Sequence, residues 1–273
     1  MNTLDYEVDG RVARITLNRP ERGNGITLEM PGELAECVEQ ANLDPAVHVI
    51  ALAGAGKGFC GGYDLVEFAE RPMPNHDPSV PWDPVVDWQA MSRNLRGFMS
   101  LFHSDKPVIC KVHGFCVAGG TDMALCSDLL VIADDARIGY PPARVWGVPT
   151  SAMWAARVGD QRAKRLLFTG DLIDGRTALE WGLAIDAPPA AELDERFEAL
   201  VQRIALTPVN QLVMMKLLVN QALFAQGLAA TQTLGVFFDG IARHTAEGHA
   251  FAQSAVEAGF KEAVRRRDEP YDG

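Results

Sequence analysis

A period-two alternation opens the chain. Leu4–Val8 and Arg11–Leu17 alternate apolar and polar residues around Asp9-Gly10, which predicts two strands joined by a two-residue hairpin turn. Asn18-Arg19-Pro20 ends the second strand and Arg22-Gly23-Asn24-Gly25 reads as a loop. The period then lengthens. Leu34, Cys37, Val38 and Ala41 share one face of a helix predicted over Leu28–Asn42, with Thr27 as its cap and Pro31 in its first turn. Val47–Ala53 is an apolar strand followed by the glycine-rich 54–58. A helix is expected from Pro84 to His103, with Trp82, Trp88, Met91, Phe98, Met99 and Phe102 as core. Val108–Val112, Leu129–Ala133 and Ala136–Gly139 read as strands, with a helix opening at Thr121 after the turn Ala118-Gly119-Gly120.

Beyond Tyr140–Pro149, a loop, helices are expected at Ser151–Val158, Gln161–Thr169 and Asp174–Trp181. Gly170–Ile173 reads as a bend and Leu183–Asp186 as a last short strand. From Ala191 to Val264 the pattern is helical throughout, with breaks near Pro208, Gly227 and around Gly248. The chain therefore divides into a strand–helix core over 1–190 and a helical region over 191–273. Pro72, Pro74, Pro78, Pro81 and Pro84 exclude a helix or central strand between them, so this stretch reads as a loop, of the kind that covers ligands.

Composition narrows the function classes. A net charge of −11 over 273 residues disfavours general nucleic-acid binding, which needs clustered Lys and Arg. No apolar run approaches membrane-spanning length, and the mixed, acidic start MNTLDYEVDG resembles neither a signal nor a transit peptide, so a cytoplasmic location is expected. The five cysteines, Cys37, Cys60, Cys110, Cys116 and Cys126, match no zinc spacing and the six histidines are scattered, so no metal is expected. Buried, reduced thiols are the favoured reading; Cys60 or Cys116 as a nucleophile is the alternative, because each lies at a glycine turn.

Two turns carry the candidate chemistry. Phe59-Cys60-Gly61-Gly62-Tyr63-Asp64 and Ala118-Gly119-Gly120 both place glycines where a backbone can approach a ligand closely. A helix start beside such a turn offers unpaired N–H groups to a developing negative charge. Each turn is therefore read as half of an oxyanion hole. The loop after Val47–Ala53 lacks the Gly-Lys-Ser/Thr ending of a phosphate-binding loop. Asp64 with Glu67 has capping-box character.

The stretches ITLNRPERGNGIT, GKGFCGGYDL, KPVICKVHGFCVAGGTDMALCSDLLVIADDARIG and RLLFTGDLIDGRTALEWGLA together resemble the crotonase superfamily, the enoyl-CoA hydratase/isomerase family, over nearly the whole chain. The resemblance implies an α/β fold of the crotonase (ClpP-like) type: stacked ββα turns, with a C-terminal helical region for trimerisation and pocket closure, in a homotrimer or hexamer. It implies an acyl-CoA thioester as ligand, with coenzyme A as part of the substrate and no permanently bound cofactor. Carried over by position, the backbone N–H groups of Tyr63 and Gly119 bind the thioester oxygen, flanked by Gly61, Gly62 and Gly120. Arg22 and Lys57 fall in the loops used for CoA phosphates; Lys261 and Arg265–Arg267 are either a neighbouring subunit's nucleotide contact or an ordinary charged helix end.

The departures from the family pattern shape the expected chemistry. A hydratase of this family uses two glutamates. The first falls here at Asp122, and the second at Pro142, or at Ala143 with a shifted alignment. Neither Pro142 nor Ala143 moves a proton, and the neighbouring Arg144 is effectively never deprotonated. Asp122 is thus expected to be the single acid/base of a lyase or isomerase, and ordinary hydration is not expected. Arg144 is read either as a partner for a substrate carboxylate or as a structural ion pair. Tyr140 and Trp146 are read as pocket walls. A non-catalytic acyl-CoA-binding homologue and a CoA-thioester hydrolase are the competing readings.

Overall fold

The computed structural model describes residues 1–68 and 79–271. Strands β1 (Leu4–Asp9) and β2 (Val12–Leu17) form the expected hairpin, in register from Leu4↔Leu17 to Asp9↔Val12. Helix α1 (Met30–Leu43) follows, and Thr27 Oγ1 accepts from Met30 N at 3.2 Å, the predicted cap. Its buried face contains Leu34, Cys37, Val38 and Ala41, as the periodicity predicts.

The next elements come as a staircase. Strand β3 (Val49–Gly54) leads through the 55–64 turn to the short α2 (Leu65–Phe68). Helix α3 (Pro84–His103) is capped by Asp83, whose Oδ1 accepts from Val85 N at 2.9 Å. Strands β4 (Val108–Val112) and β5 (Phe115–Val117) lead to α4 (Gly119–Ala124), and β6 (Leu129–Ile132) and β7 (Arg137–Gly139) lead to a tight turn at Pro141–Arg144. One sheet has the order β1-β2-β3-β4-β6, parallel except for the hairpin. After α5 (Met153–Val158) and α6 (Asp160–Thr169), β8 (Leu172–Asp174) completes a second sheet of order β5-β7-β8.

Register in the second sheet decides where the site is built. Cys60 bridges Cys116 in parallel, and Cys116 pairs with Ile138. The residues three further along, Tyr63, Gly119 and Pro141, therefore leave equivalent points of successive steps. These are the stacked ββα turns that the resemblance implies.

The helical remainder comprises α7 (Gly175–Glu180), α8 (Leu193–Ala205), α9 (Val209–Ala225), α10 (Leu228–Arg243), α11 (Ala246–Ala258) and α12 (Phe260–Asp268). Phe197 and Val201 of α8 and Leu228 of α10 join the same core as Ile15, Ile50 and Phe98. Helices α9 and α10 expose Leu217, Leu218, Val219, Phe237, Phe238 and Ile241. No single helix among the described residues is long and apolar enough to cross a membrane.

Several predicted boundaries are corrected. Strand β5 was not expected, because three residues between Gly114 and Ala118 are too few to show a period. Helix α4 opens at Gly119 rather than Thr121. Residues 170–173, read as a bend, partly enter β8, and Leu183–Asp186 is no strand but contributes one bridge, Val131↔Asp186. The break placed around Gly248 falls at His244-Thr245, where Thr245 Oγ1 caps Gly248 N at 3.1 Å. Trp82 and Trp88 are each 37% exposed, whereas Phe98 and Phe102 are core as predicted. Most of the proline-rich loop, 71–78, lies outside the described residues; Pro84 begins α3.

Candidate active site

The two glycine turns are pressed together. Phe59 N and Cys60 N both donate to Phe115 O, at 2.9 and 3.3 Å, and Val117 N returns to Cys60 O at 3.0 Å. Gly62, at φ 93°, then abuts Ala118: a Cβ added there would lie 2.6 Å from the Ala118 methyl and 3.5 Å from Gly119 N. That crowding requires glycine, and it sets the amide of Tyr63, the next residue, beside that of Gly119. Ala118 holds φ 54° and ψ −130°, an uncommon backbone for a residue with a side chain. It turns the chain sharply into α4 and leaves the Gly119 amide at the helix start. Neither the Tyr63 nor the Gly119 N–H has a hydrogen-bond acceptor among the described residues. Both residues line one cavity.

Behind the turns, Asn24 acts as a clip. It is fully buried at φ 53°, its Oδ1 accepts from Arg19 N at 2.9 Å, and its Nδ2 donates to Ala55 O, Gly58 O and Phe59 O at 2.8–3.0 Å. One side chain thus closes the carbonyls of the 55–59 loop, which removes an otherwise costly set of unpaired buried acceptors.

A cavity of about 560 Å³ opens on the two turns. Of the residues singled out by sequence, Gly61, Tyr63, Gly119, Tyr140, Pro142 and Trp146 line it. Gly62 and Gly120 lie behind the wall, Gly120 packed against Cys60. Pro142 O accepts from Trp146 N and Gly147 N, both at 3.0 Å, so the Pro141–Gly147 segment coils back on itself and presents a proline ring to the cavity. Trp146 stacks at a tilt on Phe251, ring centroids 4.7 Å apart, which ties this wall to α11.

Asp122 is buried on α4 and is not among the cavity-lining residues. Its Oδ1 accepts from Ser151 N at 2.9 Å and from Ser151 Oγ at 2.6 Å. Burial pushes its carboxyl up to about 7; the Ser151 hydrogen bonds oppose the shift and the Asp239 charge adds to it. A carboxyl poised near neutrality suits proton transfer in either direction.

Other predicted residues have different surroundings. Arg144 does not line the cavity. Its Nε donates to Thr169 O at 2.9 Å, it pairs with Asp268 at 2.9 Å and Asp171 at 3.4 Å, and it stacks 4.2 Å above the Tyr271 ring. Of the two readings left open, the ion pair is the one with partners in this structure. Arg22 pairs with Asp64 at 2.8 Å, and Arg19 with the same carboxylate at 2.9 Å; these cations hold Asp64 below the usual range against the opposing effect of burial. Asp64 also caps α2 through Val66 N at 3.1 Å. Lys57 is exposed on its loop. No cysteine lines the cavity, and burial pushes the Cys60 thiol up to about 12, which leaves no thiolate at neutral pH.

Sequence reasoning missed the wall supplied by α10. Gln232 Nε2 donates to Ser151 O at 3.0 Å, Gly235 approaches the Pro149 and Thr150 backbone, and Asp239 Oδ1 accepts from Val148 N at 3.2 Å. One helical face therefore supports the whole 148–151 loop that holds Asp122. Asp239 also pairs with Arg243, which reaches Asp87 of α3 at 3.2 Å, and all three line the cavity. Phe260, Val264 and Arg267 of α12 close it from the C-terminal side. The only sequence signal was a polar residue on the face opposite Phe237 and Phe238, which reads as ordinary solvent exposure.

Comparison with known proteins gives the family. The enoyl-CoA hydratase/isomerase family model matches residues 7–249, and the chain belongs to that family. It is 31% identical to 1,2-epoxyphenylacetyl-CoA isomerase from Escherichia coli, with 81% of this chain and 83% of that one covered. It is 30% identical to carnitinyl-CoA dehydratase from Proteus mirabilis, with 74% of each covered. A crystal structure of enoyl-CoA hydratase from Mycobacterium smegmatis is 60% identical and superposes with a TM-score of 0.94, over 98% of this chain and 94% of that one.

Proposed function

We propose that this family member binds an acyl-CoA thioester and moves a proton at the α-carbon, with Asp122 as the acid/base and the Tyr63 and Gly119 amides as the oxyanion hole. The observation that carries the reading is the pair of unpaired amides set side by side by Gly62 and Ala118. With a 3-enoyl thioester, the Asp122 carboxylate takes an α-proton. The electron pair of that C–H bond forms the C1–C2 double bond of a dienolate, and the carbonyl π pair moves onto the thioester oxygen, whose negative charge rests on the two amides. Asp122 returns a proton to the γ-carbon, and the product is the conjugated 2-enoyl thioester. No atom is gained or lost.

Hydration needs a second carboxyl placed to share one water with the first. The proline ring at 142 supports isomerisation over hydration. Arg22 and Lys57 are proposed to meet the CoA phosphates, Arg22 by leaving Asp64 to Arg19. The apolar outer face of α9 and α10 supports assembly with further copies of this chain.

The test is a paired spectrophotometric assay. A 3-enoyl-CoA is expected to gain conjugated-thioester absorbance, and crotonyl-CoA is expected to keep it. Rapid loss of the crotonyl-CoA absorbance would overturn the preference for isomerisation; no change with either thioester, nor with longer ones, would overturn the catalytic reading.

A further inference from the structure

We infer that Ser151, held from α10 by Gln232, is the positioning residue of the acid/base: it fixes Oδ1 of Asp122 and leaves Oδ2 as the atom that takes up and returns the proton. The inference deepens the proposed function and rests on its assignment of Asp122.

The two carboxylate oxygens have unequal surroundings. Both full hydrogen bonds go to Oδ1, from Ser151 N at 2.9 Å and from Ser151 Oγ at 2.6 Å. Oδ2 takes none among the described residues, yet it is not sealed in without a partner, as Thr150 Oγ1 on the neighbouring residue is. The little surface that Asp122 keeps therefore includes Oδ2. The two lone-pair positions of Oδ1 are taken by an N–H and an O–H, so a proton there would have to displace a donor. A proton on Oδ2 leaves both donors in place, because Oδ1 is then a carbonyl oxygen and still accepts them. The acid and base forms need no rearrangement between them, which is what preorganisation supplies.

Ser151 is itself fixed from the far side. Gln232 Nε2 donates to Ser151 O at 3.0 Å, and Ala152 N donates to Pro149 O at 3.3 Å, so the peptide after Ser151 is held on both edges. Helix α10 comes so close to this loop that a Cβ at Gly235 would lie 3.1 Å from Pro149 O. Asp122, Ser151 and Gln232 are all buried, so bulk water replaces none of these bonds.

The groups that face Asp122 leave the assignment of its titration open to test. Tyr63 of the 55–64 turn, Tyr140 after β7, Cys116 of β5 and Cys126 after α4 feel its charge, and burial keeps each of them neutral around pH 7. Asp239 of α10, paired with Arg243, which also reaches Asp87 of α3, acts on Asp122 in the direction opposite to Ser151. The arginines that line the cavity, Arg93, Arg243 and Arg267, keep their charge throughout.

Two readouts of one titration test the inference. The kcat on a 3-enoyl-CoA would be followed against pH. The Asp122 carboxyl would be titrated without substrate by infrared difference spectroscopy on protein carrying isotope-labelled aspartate, its band assigned by its loss in Asp122→Asn. Ser151→Ala removes a hydrogen bond to the charged form, so the rise in kcat and the infrared titration should both move to higher pH, by about 1–2 pH units. KM should stay nearly unchanged, because Ser151 does not line the cavity. The C=O band of the protonated carboxyl should move to higher frequency, since its oxygen loses one of two donors. Gln232→Met keeps the side-chain bulk and drops the donor to Ser151 O; it should move the titration the same way by a smaller amount. A purely structural Ser151 would lower the melting temperature and leave titration and band where they are. That result in Ser151→Ala, or in Gln232→Met should the former not fold, would overturn the inference and leave the Asp122 chemistry standing. A kcat rise that persists in Asp122→Asn and vanishes in Asp239→Asn, or wild-type turnover in Asp122→Asn, would overturn the proposed role of Asp122 and the inference with it.

Discussion

The glycine turns and the α10 wall face each other across one cavity, and they are built on opposite terms. The turns are made of backbone: two amides, held by contacts so close that a single methyl group would part them. The wall is made of side chains on a regular helix: Asp239 and Arg243 line the cavity and reach the 148–151 loop and α3, and Gln232, two turns earlier, holds the same loop. In the proposed function the turns act on the thioester oxygen, whatever the acyl group. In the same proposal the wall, with Tyr140 and Pro142 of the same cavity, is left to meet the acyl group. Close backbone packing tolerates almost no change, whereas a helix face can alter a residue without moving its neighbours. The proposed function therefore places the reaction class in the rigid half and selectivity in the adjustable half.

The comparison predicts a gradient of effects. Asp122→Asn is expected to lower kcat about 10²- to 10⁴-fold, the usual range for a positioned acid/base. Wild-type turnover should rise with pH through about 7 as the base form appears, and the variant should lose that step. Stability has the opposite sign. The folded pKa of Asp122 lies above the unfolded one, so the native state holds an extra proton, and the stability linked to this group falls as pH rises from about 4 to about 7. Melting curves of wild type and Asp122→Asn across that window should diverge in the variant's favour as pH rises.

Gly119→Ala is next in size. The added Cβ would lie 2.8 Å from the Tyr63 ring and 2.9 Å from Ile26. Displacing one oxyanion donor is expected to lower kcat about 10²- to 10³-fold, measured on a 3-enoyl-CoA, with the fold retained by circular dichroism. If Gly119→Ala were as active as wild type, the backbone half would not be the fixed half.

Arg144→Ala sharpens the other side. Arg144 joins the Pro141–Arg144 turn to Asp171 and Asp268 and does not line the cavity, so the variant should lose about 1–3 kcal/mol of stability in thermal or urea unfolding. Affinity for a dicarboxylic acyl-CoA relative to its monocarboxylic parent should not change; a selective loss would return Arg144 to the ligand. The smallest effect belongs to the CoA mouth. Arg22→Ala and Lys57→Ala should each weaken a CoA thioester about threefold relative to the matching pantetheine thioester, the range for exposed ion pairs.

Much of the fold was legible along the chain, and for local reasons. The hairpin at Asp9-Gly10, the cap at Thr27 and the apolar face of α1 each depend on residues within a few positions of one another. The two turns were legible too, because close backbone approach leaves glycine as its trace. β5 and β8 were not, since three residues carry no period and their pairing with β7 is long-range. The orientation of α10 was not legible, for a physical reason. It buries Gln232, Asp239 and Gly240 and exposes Phe237, Phe238 and Ile241, the reverse of an ordinary surface helix. The usual inference from apolar stripe to core fails where a helix turns its polar residues toward a cavity and its apolar ones outward.

The sequence by itself determined the strand–turn–helix steps, the two glycine turns, the carboxylate at 122 and the proline at 142. Each follows from covalent chemistry or from neighbours along the chain. Only the tertiary structure decided that the Tyr63 and Gly119 amides emerge together, that Asp122 is held by Ser151, that Arg144 is occupied by Asp171 and Asp268, and that Asp239 and Arg243 reach the cavity from more than a hundred residues away. Those outcomes depend on packing between segments distant in sequence, and composition and periodicity carry no record of which segments will meet.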